Sequence, residues 1–287
     1  MTAAAATLPD APETLARART IRAARLPAGC GIDELDEGQM SFDGTRFLLR
    51  ERGFSICYTQ AEGLYAQLDD PGQRGRMELF LDGSVHAAIA SLAGLYPLHA
   101  SAVTLNGHVI AFTGPAGAGK STLCAALARR GLPFYADDTL VIDPARAPLA
   151  CLPGHKRLKL WPEGLALAGL QGEELVAPDY PKYFAQAPVR ARPAMLPLGA
   201  LVFLEEGSQF SFAPIGGAQR FARLNDDHYT AMLRNRAGRP EAGALFARQA
   251  MLARAIPMFR LARPRDPAQF ETMLDQTILA LDGIARA

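Results

Sequence analysis

The stretch that constrains this chain most is residues 108–121, His-Val-Ile-Ala-Phe-Thr-Gly-Pro-Ala-Gly-Ala-Gly-Lys-Ser. Val109, Ile110, Ala111 and Phe112 have the length and residue types of a buried strand, and the run breaks at Gly114. Gly114-Pro115-Ala116-Gly117-Ala118-Gly119-Lys120-Ser121 then fits the pattern G-x-x-x-x-G-K-[ST], and Leu123, Ala126, Leu127 and Arg130 follow at helical spacing. Strand, glycine-rich loop and helix, in that order, is the context in which this pattern cradles phosphate. Gly114, Gly117 and Gly119 carry no Cβ, so the backbone can close around a polyphosphate with its N–H groups pointing inward. The start of the helix adds its positive dipole end. Lys120 is then the candidate to reach the β- and γ-phosphates, and the Ser121 hydroxyl the candidate to ligate Mg²⁺. Thr122 completes the candidate nucleotide-binding segment, and a nucleoside triphosphate with Mg²⁺ is the expected ligand.

Composition narrows the alternatives. A chain of 287 residues holds one large domain or about two of ordinary size. A net charge of +1 gives no general reason to expect nucleic acid or an anionic membrane as partner. No apolar run approaches the ~20 residues that span a bilayer. The first residues lack a basic segment followed by an apolar one, so they do not read as a signal peptide. Cys30, Cys57, Cys124 and Cys151 lie far apart without a C-x-x-C pair, and read as reduced thiols of a cytoplasmic protein. The basic residues are nearly all arginine. The only lysines are Lys120, Lys156, Lys159 and Lys182, all within one window that begins at the glycine-rich loop. Lysine kept where a compact charge faces phosphate is one explanation, and a charged surface loop is the other.

Three segments are expected. Residues 1–28, rich in Ala, Arg and Pro, read as partly disordered. Residues 29–94 read as a small β-rich module, with strands at 46–50, 54–58 and 77–81 separated by Glu51-Arg52-Gly53 and Asp70-Pro71-Gly72, then a helix over 84–93. Residues 95–287 read as the nucleotide domain. There, residues 98–105, the pair Asn106-Gly107 and the strand from His108 form a hairpin with a two-residue turn. This places the glycine-rich loop at the end of an antiparallel pair, unlike a doubly wound parallel sheet. Gly131 caps the following helix. Further on, 196–204 read as a central strand, 213–219 as strand and turn, 218–232 and 241–254 as helices, and 256–261 as a strand. Asp266 caps a last helix that has Pro267 at its first position.

Two further clusters carry chemistry. Asp137-Asp138 interrupts an apolar, strand-like stretch one helix after the loop, where a metal–phosphate site would compensate buried charge; a solvated strand end is the plainer alternative. In Arg157-Leu158-Lys159-Leu160 the alternation puts Arg157 and Lys159 on one strand face, and Lys182 follows in Tyr180-Pro181-Lys182-Tyr183. These three are candidates to hold phosphate or substrate, or else form a charged edge-strand face.

Taken together, Leu98-His99-Ala100-Ser101, the Asn-Gly hairpin, the loop through Thr122, Ala136-Asp137-Asp138 and Pro197-Leu198-Gly199-Ala200-Leu201-Val202-Phe203-Leu204-Glu205 resemble the catalytic domain of HPr kinase/phosphorylase. Their order and spacing are also similar to those of its fold relative, phosphoenolpyruvate carboxykinase. The resemblance covers about residues 78–285. It implies an α/β fold, a P-loop nucleotide-binding domain of that type with a mixed β-sheet. It also implies that Lys120 and the loop amides hold the triphosphate and that Ser121 and an aspartate bind Mg²⁺. Asp138 is the candidate ligand and Asp137 its counterpart; the two roles, metal ligand and general base toward an acceptor serine, stay exchangeable. His99 is placed beside the transferred phosphate. Thr122 stands where the bifunctional enzymes carry an acidic residue, and their later Leu-Glu-Ile-Arg-Gly signature is absent. The chain is therefore most similar to the stand-alone members, some of which phosphorylate a serine of a precursor peptide, as in lasso-peptide biosynthesis. Relatives assemble as homo-oligomers, hexamers among them; no residue pattern here decides assembly.

The leading expectation is an ATP- and Mg²⁺-dependent kinase acting on a serine hydroxyl of a protein or peptide. A small-molecule kinase on the same scaffold and a non-catalytic ATP-binding regulatory protein are the alternatives. The Asp137-Asp138 pair argues against the last, because pure binding needs no base.

Overall fold

The computed structural model describes residues 11–154, 157–177, 180–225 and 239–285. His155, Lys156 and part of the helix expected over 218–232 lie outside them. The chain begins with α1 (Ala11–Ala18) and β1 (Ile21–Ala23), then β2 (Gln39–Phe42), β3 (Arg46–Glu51), β4 (Phe54–Thr59) and β5 (Gly63–Leu68). Strands β2 to β5 form an antiparallel meander, and β1 adds to β5 in parallel. Residues 11–23, where composition predicted little order, are thus tied down by a strand pairing and by Leu15, which is buried in the module's core.

The expected strand over 77–81 is a helix. α2 (Arg74–Phe80) runs through a π-helical turn at Leu81–Val85 into α3 (His86–Leu92). Met77, Phe80, Leu81, Val85, Ala88 and Ile89 all pack on the apolar face that Phe47, Leu49, Phe54 and Ile56 present from the sheet. A five-residue apolar run has no period of its own; the spacing of the wider segment is helical and wins.

The second sheet is mixed. It contains β6 (Tyr96–Leu98), β7 (Ala100–Leu105), β8 (His108–Thr113), β9 (Phe134–Ala136), β10 (Leu140–Asp143), β11 (Ala150–Cys151), β15 (Leu196–Glu206), β16 (Ser211–Pro214) and β17 (Met258–Arg263). At its centre β15 lies parallel to both β8 and β17, while β7 is antiparallel to β8. The β7–β8 hairpin turns through Asn106 (φ 50°) and Gly107 (φ 77°), the two positive-φ residues that a type I′ turn requires. α4 (Lys120–Arg129) follows β8 and ends where Gly131, at φ 95°, lets the amides of Gly131 and Leu132 reach the carbonyls of Ala128 and Leu127.

β12 (Leu158–Leu160), β13 (Leu175–Ala177) and β14 (Tyr180–Ala185) make a small antiparallel sheet, with α5 (Pro162–Ala168) between β12 and β13. α6 (Ala218–Asn225), α7 (Arg239–Ala255) and α8 (Phe270–Ala285) complete the described chain. Asp266 Oδ1 accepts from the Ala268 amide at 2.9 Å ahead of α8, as the cap reading expects. Apolar residues fill both faces of the mixed sheet. Ile110, Phe112, Ala200, Val202 and Leu204 meet α4 and α8, whereas Val109, Ala111, Leu201 and Phe203 meet α6 and α7. With both faces covered, the carboxyl ends of β8, β15 and β17 are left to form the site.

Candidate functional site

The site is built from the loop outward. Gly114, at φ 142°, brings the end of β8 against β15 so closely that a Cβ there would lie 2.7 Å from the Leu204 carbonyl oxygen. Gly119, at φ 85°, starts α4 without any side-chain cap. The helix therefore offers first-turn N–H groups of the anion-binding kind. Lys120 is buried, and its ammonium donates to the carbonyls of Gly114 at 2.8 Å and Pro115 at 3.1 Å.

A short polar chain links the loop helix to the aspartates. Ser101, on β7, donates from Oγ to Asp137 Oδ1 at 2.6 Å and lies 3.4 Å from Ser121 Oγ. Asp137 Oδ2 accepts the Lys159 amide at 3.4 Å. Asp137 is thus a buried carboxylate whose partners among the described residues are a hydroxyl and an amide, both neutral. Its charge is felt by Cys124, whose thiol is pushed up by burial and then by Asp137.

Asp138 faces a different set of groups. It sits at φ 68° in a three-residue turn closed by the Thr139 amide on the Asp137 carbonyl at 2.8 Å. The positive-φ form of that turn is the rarer, strained one, and such strain concentrates at functional sites. The Asp138 carbonyl accepts from His99 at 2.8 Å. A carbonyl cannot donate, so Nδ1 of His99 carries the proton and the neutral ring has Nε2 as its basic nitrogen. The Asp138 carboxylate lies 3.4 Å from His99 Nδ1 and 3.7 Å from the Lys159 ammonium.

One cavity of about 520 Å³ gathers loop residues 116–122, His99, Asp137, Asp138, Lys159 and Lys182. Gly114 and Pro115 stand behind it and contribute through their carbonyls to Lys120. All three lysines among the described residues therefore line a single cavity.

Arg157 does not reach it. Its guanidinium pairs with Glu173 and Glu174 and stacks on Phe184, with its centre 4.0 Å from the ring. Two carboxylates and an aromatic face outside the cavity hold it more strongly than alternation along a strand of three residues. Arg157 therefore does not join Lys159 at the cavity, although Phe184, on which it stacks, is the cross-strand partner of Lys159.

Sequence reading missed other lining residues. Trp161 and Tyr180 form a tilted pair at 5.6 Å with the Lys182 ammonium over both rings. Arg263 and Arg265, from the end of β17 and the segment after it, line the cavity beside Gly119.

The donor chemistry suits a hard divalent ion. Among the described residues no cluster of three or more His, Cys, Asp or Glu side chains forms a closed metal cage. Mg²⁺ is held by one or two carboxylates and a hydroxyl, with substrate phosphate and water filling the rest of its octahedron. Ser121 Oγ and the Asp137 carboxylate, both within reach of Ser101, supply such a partial set. The link runs to Asp137 rather than to Asp138.

No protein-family model matches the sequence, and no curated protein matches it either. Among solved structures, the chain is similar to the Hpr(Ser) kinase/phosphatase from Coxiella burnetii at 12% identity and a TM-score of 0.34, over 65% of this chain and 98% of that one. A likeness at that level carries no residue correspondence, and the functional reading rests on the geometry of the site. Among the described residues, no helix is long and apolar enough to cross a membrane.

Proposed function

We propose that this chain is an ATP- and Mg²⁺-dependent phosphotransferase that phosphorylates a serine hydroxyl of a protein or peptide. The observation that supports it is the division of labour between neighbouring carboxylates. Asp137 is tied through Ser101 to Ser121, while Asp138 opens on the same cavity between His99 and Lys159. In this reading Ser121 and Asp137 hold Mg²⁺ and Asp138 is the base, one of the two arrangements that the sequence leaves exchangeable. The bound ion would neutralise phosphate charge.

The loop amides and Lys120 bind the triphosphate, and the Asp138 carboxylate takes the proton from the acceptor hydroxyl. The acceptor oxygen forms a bond to the γ-phosphorus as the bond to the β–γ bridging oxygen breaks, and ADP leaves with that oxygen. His99 holds the Asp138 turn through its Nδ1–H, and Lys159 offsets negative charge beside the base. A positioned base contributes about 10²–10⁴-fold, with positioning and electrostatics supplying the remainder.

Incubation with Mg²⁺, γ-labelled ATP and serine-bearing peptides tests this, with mass spectrometry of the product. Label on serine, lost in Asp138→Asn while ATP binding is kept, is the expected result. Label appearing only on small alcohols favours a small-molecule kinase. ATP binding with no transfer to either class refutes catalysis.

A further inference from the structure

Arg263 is a buried cation to which the reading above gives no role. It ends β17, is 8% exposed, and lines the same cavity as Lys120. Its hydrogen-bond partners among the described residues are the Ala118 carbonyl, at 2.8 Å from Nη2, and the Met273 sulfur, at 3.5 Å from Nη1. Among the described residues no carboxylate pairs with it, while the nearby Arg265 is paired with Glu206 at 3.0 Å. Burial, and then the charge of Arg265, push the Arg263 guanidinium below its usual range.

A desolvated guanidinium that has five donors, a like charge nearby and only a carbonyl and a thioether as acceptors destabilises the fold unless an anion joins it. The loop approaches it closely: a Cβ on Gly119 would lie 2.5 Å from Nη2. The cavity it faces is lined by the residues that an anionic ligand would occupy.

We infer that Arg263 is a phosphate-binding residue of the site, donating to an oxygen of the bound polyphosphate while it holds the loop through Ala118. The inference deepens the nucleotide reading and rests on it. Arginine suits the task because its planar fork can serve the loop carbonyl and a phosphate oxygen together, which an ammonium on a flexible stem does less well. The loss of a charge-assisted contact of this kind weakens polyphosphate binding by about 10- to 100-fold.

The test measures binding of inorganic tripolyphosphate and of Mg²⁺-ATP by calorimetry, alongside Tm without ligand, for the wild type, Arg263→Met and Arg263→Lys. The expected result is a Tm for Arg263→Met equal to or above that of the wild type, because a buried, uncompensated charge is removed. Both ligands bind it at least tenfold more weakly, and Arg263→Lys falls between the two. Should Arg263→Met fail to fold, or melt well below the wild type, Arg263 is a structural strut and the inference is wrong. A loss of affinity smaller than tenfold in Arg263→Met also overturns it. If the wild type binds neither ligand, the nucleotide reading itself fails, which separates that failure from the failure of the role given to Arg263.

Discussion

Removal of the Ser101 hydroxyl probes the site at its most confined point. Ser101 and Asp137 are both buried, and the contact of 2.6 Å has the length usual for a hydroxyl donating to a carboxylate. A hydrogen bond to a charged group contributes about 1.5–3 kcal/mol net. In Ser101→Ala the carboxylate keeps only the Lys159 amide at 3.4 Å, close to the limit of a hydrogen bond. Unfolding free energy should fall by about 2–3 kcal/mol. At about 2–4 °C per kcal/mol, Tm drops by roughly 4–12 °C. Asp137→Asn behaves differently, because its amide oxygen still accepts from Ser101 while a buried charge with neutral partners disappears. Its stability should stay within about 1 kcal/mol of wild type or rise. The double variant then shows a coupling of about 1.5 kcal/mol or more. Urea denaturation of the four proteins in a chelator measures this cycle. Additivity within about 0.5 kcal/mol would refute the account of Asp137 as a buried anion held by Ser101.

Other predictions follow from single residues. At Asp138, whose φ is 68°, Ala should be less stable than Gly by about 1 kcal/mol, the reverse of the order in a helix, as chemical denaturation of the two variants can show. Arg157→Ala, which removes an exposed ion-pair cluster outside the cavity, should change stability by less than about 1 kcal/mol and leave ATP affinity within twofold in a titration. The Cys57 thiol is pushed up to about 12 by burial and by Cys30, and burial also raises Cys124 and Cys151. A raised thiol withholds the reactive thiolate at every pH below its own value, so iodoacetamide at pH 8 should label the native protein at Cys30 alone, and peptide mapping checks it.

The loop was legible because a glycine pattern, a preceding apolar strand and a following helical period all agree at one place. Asp137-Asp138 was legible for the opposite reason: two charges in an apolar run contradict their surroundings. Lys159 and Lys182 stood out only because arginine is the default basic residue of this chain. That same bias hid Arg263 and Arg265, since one more arginine in an arginine-rich sequence carries no signal. Ser101 was hidden too, because a lone serine in a β-strand says nothing until the neighbouring strand brings Asp137 beside it. Arg157 shows the reach of alternation, which fixes the face of a backbone position but not the partner that a long side chain finds. The helix over 74–92 and the docking of Leu15 depended on packing against a sheet whose face no local pattern reveals.

The most direct measurement is the binding of Mn²⁺, as a spectroscopic substitute for Mg²⁺, to the ATP complex by electron paramagnetic resonance. The account predicts at least a tenfold loss of Mn²⁺ affinity in Asp137→Asn and in Ser121→Ala, with Asp138→Asn within about threefold of wild type. An unchanged affinity in Asp137→Asn, or a loss in Asp138→Asn as large as that in Ser121→Ala, would contradict it.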